Sequence, residues 1–159
     1  MLFSCGTSSN FSSNVLDKTY FQNKTIYFTL DKESVKNIEM SGSYLETAFD
    51  SKIPPIIENV FKESIDELAN ETNFNFIYIT DNSTISNNDL LVNVKLTNVT
   101  WKFGFYNAIF KTEATYKIHN SDRTYNVEGI RKSPGGDKSN NLRKSLKITN
   151  YNFLKELEK

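Results

Sequence analysis

Of the side chains that most often serve as nucleophiles, bases or metal ligands, this chain holds one histidine, His119, and one cysteine, Cys5. A single histidine supports neither a histidine-dependent triad nor a multi-histidine metal site, and His119 lies beside Asn120-Ser121, residues that favour a turn. Cys5 is followed by Gly6-Thr7-Ser8-Ser9-Asn10, which offers no positioned base to activate a thiol. Glu63, Asp66, Glu67 and Glu71 cluster on one predicted helix, with nothing nearby to bury and tune a general acid, so a solvated face is expected. The run Ser133-Pro134-Gly135-Gly136-Asp137-Lys138-Ser139 has the residue types of a phosphate loop without the spacing that wraps N–H groups around phosphates. It reads as a connection. Catalytic residues, a metal and a cofactor are therefore not expected. An enzyme of unrecognised type is the alternative, and it would need a pocket of convergent Tyr, Lys and carboxylate groups around the sheet.

The chemistry open to Cys5 is modification. Leu2-Phe3-Ser4-Cys5-Gly6 has the form of the end of a secretory signal, apolar residues followed by small ones. It resembles the lipobox of bacterial lipoproteins, with Leu2 three places before the cysteine and a small residue, Ser4, directly before it. Phe3 is bulkier than the pattern usually has. The resemblance implies that Cys5 is the lipid attachment site of a longer precursor and that the mature chain begins there. Several acyl chains would anchor it stably, each buried methylene contributing about 0.8 kcal/mol. Residues 1–22 are then signal remnant, lipidation site and polar tether, and residues 23–159 one domain. Asn-x-Ser/Thr triplets at Asn10, Asn23, Asn70, Asn82 and Asn98 are expected by chance in an asparagine-rich chain and lose their meaning in a bacterial lipoprotein.

Two stretches have the chemistry of noncovalent binding. Trp101-Lys102-Phe103-Gly104-Phe105-Tyr106-Asn107 sets four rings about a turn, and rings on both sides of a turn cannot all face one core. Trp101, Phe105 and Tyr106 are accordingly candidates for a partner surface, since Trp and Tyr give contact area at low entropic cost. For Trp101 and Phe103, closing the end of the core is an equal reading. The second stretch is basic: between Arg131 and Lys147 six cationic residues meet one acid, Asp137, and Arg143 and Lys144 are candidates for contact with phosphate or an acidic protein.

Positioning these groups requires a fold, and the totals allow one. The length suits a single core, and a 13% aromatic share is too high for a disordered chain. Nineteen basic and nineteen acidic residues give zero net charge, so no overall field draws the chain to nucleic acid. A lone cysteine excludes an internal disulfide, and no apolar run is long enough to span a bilayer.

Thr25–Leu30 alternates as a strand, and residues 31–52 stay unassigned. Apolar residues at 57, 60, 61, 65 and 68 predict a helix, followed by a buried strand over 74–80. A long strand from Leu91 to Phe103 changes apolar parity, which predicts a bulge near Thr97-Asn98. Residues 108–118 put Ala108, Phe110, Thr112, Ala114, Tyr116 and Ile118 on one face, and 124–130 follow as the last strand. Leu142, Leu146, Thr149, Phe153 and Leu157 predict a closing helix. The order β-α-β-β-β-β-α is that of a two-layer α+β sandwich, a mostly antiparallel sheet with two helices on one face.

Behind a lipidated cysteine, this layout, over roughly residues 25–157, resembles small envelope lipoproteins such as the lipopolysaccharide-assembly lipoproteins that sit with an outer-membrane barrel, and transporter-auxiliary lipoproteins. The resemblance implies a binding or assembly module anchored at the outer membrane and facing the periplasm. Its partner would be an outer-membrane protein or a lipopolysaccharide-like ligand. A surface-exposed host-contact antigen would carry the same aromatic turn.

Overall fold

In the computed structural model, which describes residues 16–42, 55–80, 85–86, 88–135 and 137–159, the chain runs α1 (Lys18–Phe21), β1 (Thr25–Leu30), β2 (Glu39–Ser41), α2 (Ile57–Thr72), β3 (Asn75–Tyr78), β4 (Leu90–Phe103), β5 (Ala108–Ile118), β6 (Thr124–Ser133) and α3 (Lys138–Leu157). The strands form one mixed sheet in the order β3-β1-β4-β5-β6. Strand β4 organises it. One edge pairs with β5 over nearly the whole length of both, and the other is shared, with β1 alongside its first half and β2 alongside its last residues. The β4-β5-β6 meander is antiparallel, whereas β1 runs parallel to both β3 and β4. The outcome is the expected two-layer α+β sandwich, and the bulge falls between Leu96 and Asn98, where the parity change placed it.

Two elements had no sequence signal. Strand β2 is three exposed residues, too short to show a period. Helix α1 is one turn, capped by the Asp17 carboxylate, which accepts from the Thr19 N–H at 2.8 Å. It seats Phe21 against Phe74 and Phe76, and Leu16 is buried as well. The folded body therefore takes in residues ahead of the boundary expected at 23, because these apolar side chains help close the end of the core. Cys5 and the residues expected as tether through Val15 lie outside the described residues.

Both long helices cover one face of the sheet. Helix α2 presents Ile57, Val60, Phe61, Ile65 and Leu68, an apolar stripe at helical spacing, and it ends at Asn73 in the left-handed conformation that asparagine tolerates. Helix α3 begins where the Asp137 side chain accepts from the Asn140 N–H. Its Phe153 lies parallel to Tyr116 with centroids 4.2 Å apart and meets Phe28 and Tyr125 edge-on, so one ring ties α3 to β1, β5 and β6. Burying a ring of that size contributes about 2–3 kcal/mol.

A polar seam runs through this core. Thr112 of β5 meets Ser145 and Thr149 of α3, the Ser145 hydroxyl donates to the Phe110 and Gly129 carbonyls, and the Tyr116 hydroxyl donates to Asn150 Oδ1 at 2.7 Å. Asn150 passes the chain on to Ser64 of α2. Each hydroxyl has a partner, so this seam fixes the register of helix on sheet without a desolvation penalty.

Burial holds the Tyr116 phenol well above its ordinary pKa, and burial followed by the hydrogen bond to Glu58 pushes Tyr78 up to about 12. A phenol whose folded pKa exceeds its unfolded value, about 10, holds its proton more tightly when folded. The resulting stability is complete below pH 10 and is lost as pH rises through the folded pKa. Thermal melts are expected to fall between pH 10 and 12, with a shallower fall for Tyr78→Phe; equal slopes for the two proteins would contradict this origin.

Candidate functional site

Beyond the bulge, the apolar residues of the β4–β5 hairpin stay in phase to its end. Trp101 pairs with Phe110 and Phe103 with Ala108, and the inward rings of Trp101, Phe103 and Phe110 pack edge-to-face at 5.1–6.4 Å. Trp101 is only 1% exposed. It belongs to the core and is corrected from the partner-surface reading: after the bulge at Thr97 it shares the inward parity of Val99. Past the last pair the chain turns, with the Gly104 N–H donating to the Asn107 carbonyl at 3.0 Å. Phe105 and Tyr106 stand beyond the register, where no core remains to receive them. They are 68% and 79% exposed, and their rings meet edge-on at 4.6 Å.

The basic stretch does not stay together as a surface. Arg143 makes an interhelix pair, its Nε 2.7 Å from Glu67 and its Nη1 3.8 Å from Glu63. Lys147 is buried and places its Nζ 2.5 Å from Glu67 and 2.8 Å from Glu71. Glu67 and Glu71 are thus the counter-charges of α3, while Glu63 and Asp66 stand on the expected solvated face. Lys144 is half-buried on α3.

Two hollows open among the described residues. One, of about 430 Å³, gathers Asn93, Lys117, His119 and Asp122 near the β5–β6 turn, and His119 is exposed there. The other, of about 660 Å³, opens between the carboxyl ends of β1 and β3 and the start of α2. Sequence reasoning missed it, because its lining comes from three segments far apart in the chain, 30–36, 55–58 and 78–80. Among the described residues no group of three or more His, Cys, Asp or Glu is placed to hold a metal ion, and no helix is long and apolar enough to cross a membrane.

No family model matches the chain, and no curated protein does. Solved structures align with it at very low identity. A protein of the family DUF330 from Xanthomonas campestris aligns with TM-score 0.49 and 9% identity over 84% of this chain and 83% of its own. An uncharacterised protein aligns at 0.43 and 7%, covering 84% and 90%. The hypothetical protein CT253 from Chlamydia trachomatis aligns at 0.40 and 9%, covering 84% and 93%. No role passes from these proteins to this chain.

The hairpin tip and the chain entry lie at opposite ends of the sheet. Ile26 pairs with Leu90 at the start of β4, Phe21 packs beside Phe74, and the Asp17 N–H donates to Glu158 at the end of α3, whereas Phe105 follows the end of β4. At about 3.3 Å per residue, the 14 residues of β4 separate the two ends by roughly 45 Å.

Proposed function

We propose that this chain is the folded body of a bacterial envelope lipoprotein, held at the outer membrane by acyl chains on Cys5 and acting without catalysis as a binding or assembly module. Its partner is an envelope macromolecule, an outer-membrane protein or a lipopolysaccharide-like ligand. The observation that carries the reading is the exposed pair Phe105–Tyr106 at the far end of the β4–β5 hairpin. Two adjacent large rings held outside the core on a tight turn are a rigid, apolar contact that costs little entropy to dock. The described chain enters at Leu16, at the other end of the sheet, so an anchor ahead of it does not have to share the surface that the tip presents.

The test is affinity isolation of the full-length protein from its native membrane, with mass spectrometry of the N-terminus and of the companions. Phe105→Ala with Tyr106→Ala is expected to change unfolding free energy by less than about 0.5 kcal/mol, as surface substitutions do, and to weaken companion capture by about tenfold or more. A stability loss with capture intact would return the rings to the core and remove the basis of the reading.

A further inference from the structure

We propose that β6 is a self-pairing edge, through which two copies of this chain join into one continuous sheet. Strand β6 ends the sheet order with ten residues, against four in β3 at the other side. The direction of its main-chain groups follows from the ladder. The His119 N–H donates to the Leu91 carbonyl and the Gly104 N–H to the Asn107 carbonyl, so odd-numbered residues along β5 bond toward β4 and even-numbered ones toward β6. Even residues of β5 oppose odd residues of β6. Thr124, Asn126, Glu128, Ile130 and Lys132 therefore turn their N–H and C=O groups to the open edge, and all five are exposed. Among the described residues only one of these groups has a partner, the Glu128 carbonyl, which accepts from the Asn152 amide at 2.9 Å and keeps a second lone pair. Such an edge is a template for a further strand.

The side chains select the strand. Antiparallel pairing about a two-fold axis at Ile130 sets Ile130 against its copy and Glu128 of each chain against Lys132 of the other, with residues 127–133 overlapping. Ile130 is 44% exposed. Lys132 makes no ion pair among the described residues. Glu128 lies 2.9 Å from Lys111, which Glu113 also holds, and its side chain is still 56% exposed, so it has room for a second cation. An axis at Glu128 would instead put two carboxylates opposite each other, and an axis at Gly129 would put Glu128 against Ile130. Opposite charges across a strand pair stabilise it and like charges weaken it, which favours the axis at Ile130.

The helical layer agrees with that axis. A Cβ at Gly129 would meet Ser145 and Thr149, so this stretch of α3 lies over the same part of β6. Ile148, partly exposed, shares a helical stripe with Asn152, whose amide reaches the edge. It stands at the height of Ile130 and would meet its own copy across the axis. Apolar contact in both layers then flanks the new strand pair. The overlap stops at Val127, short of the β5–β6 turn. Neither Phe105 nor Tyr106 takes part, so failure of this inference and failure of the hairpin reading are separate results.

Sedimentation velocity of the purified full chain, from roughly 5 to 200 μM, is expected to show a reversible monomer–dimer equilibrium. Glu128→Lys and Lys132→Glu each turn both charge pairs into like-charge contacts, and each alone is expected to weaken the dimer by about tenfold or more. An equimolar mixture of the two variants restores both pairs and is expected to recover most of the lost affinity, a result that a misfolded variant cannot give. A monomer over the whole range would leave the edge to a strand of another protein and overturn the proposal. A dimer indifferent to either reversal, or a mixture that stays monomeric, would overturn it as well. So would a dimer lost in Phe105→Ala with Tyr106→Ala but kept in both charge variants, since that contact would lie at the hairpin tip.

Discussion

Gly129→Ala is expected to lower the unfolding free energy by about 3 kcal/mol, the upper end of what overpacking costs. A Cβ at this position would lie 2.3 Å from Thr149 Oγ1, 2.5 Å from the Ser145 carbonyl oxygen and 2.6 Å from the Thr149 nitrogen. Two of these three atoms are helix backbone, so rotating one side chain cannot relieve the contact. Helix α3 would have to lift from β6, and the hydrogen bonds from Ser145 to the Gly129 and Phe110 carbonyls would lengthen together. Urea unfolding reads the effect as a lower midpoint at unchanged slope. Adding Thr149→Ala removes the nearest atom and leaves the backbone clash, so the double variant is expected to regain little. A loss below about 0.5 kcal/mol in Gly129→Ala would show that α3 sits further from the sheet than described.

The second large effect lies between the helices. Lys147 is 1% exposed, and its ammonium is held by Glu67 and Glu71, which are themselves partly open to water. Removing both acids takes two carboxylates from a buried cation, and breaking a buried pair from that side costs up to about 3–5 kcal/mol. Lys147→Met instead keeps the apolar stem and leaves two carboxylates that water can reach, with Arg143 still beside Glu67. Glu67→Ala with Glu71→Ala is therefore expected to be more destabilising than Lys147→Met, by at least about 1 kcal/mol. Chemical denaturation of the two variants under one buffer decides the order, and the reverse order would contradict the burial assigned to the lysine.

The layers were legible because each rests on a local period. Residues 108–118 alternate without a fault, and the stripe from Ile57 to Leu68 has the helical spacing that the sheet face then buries. The bulge at Thr97 was readable for the same reason: Val92, Val94 and Leu96 are in phase, and Val99, Trp101 and Phe103 are in phase with one residue added. That phase also places Trp101 inside, which reading the aromatic run as a whole obscured. Other features depend on long-range placement. The pairing of Glu63, Glu67 and Glu71 with Arg143 and Lys147 requires the relative rotation of two helices some eighty residues apart in the chain. A signal was present, however, since both sets recur every four residues and carry opposite charge. The start of α3 was hidden because Asp137-Lys138-Ser139 has turn composition, and its aspartate proves to be a helix cap. Strand β2 and the 660 Å³ hollow have no local pattern at all, being made by neighbours in space.

For the proposed module, the most direct measurement places a photo-crosslinking residue at Tyr106 in the full-length protein in its native envelope, and in a second protein at Asp122 near the opposite end of the sheet. The account predicts a discrete adduct with an envelope protein or glycolipid from position 106, and none from position 122. Adducts from position 122 alone, or equal diffuse labelling from both, would contradict it.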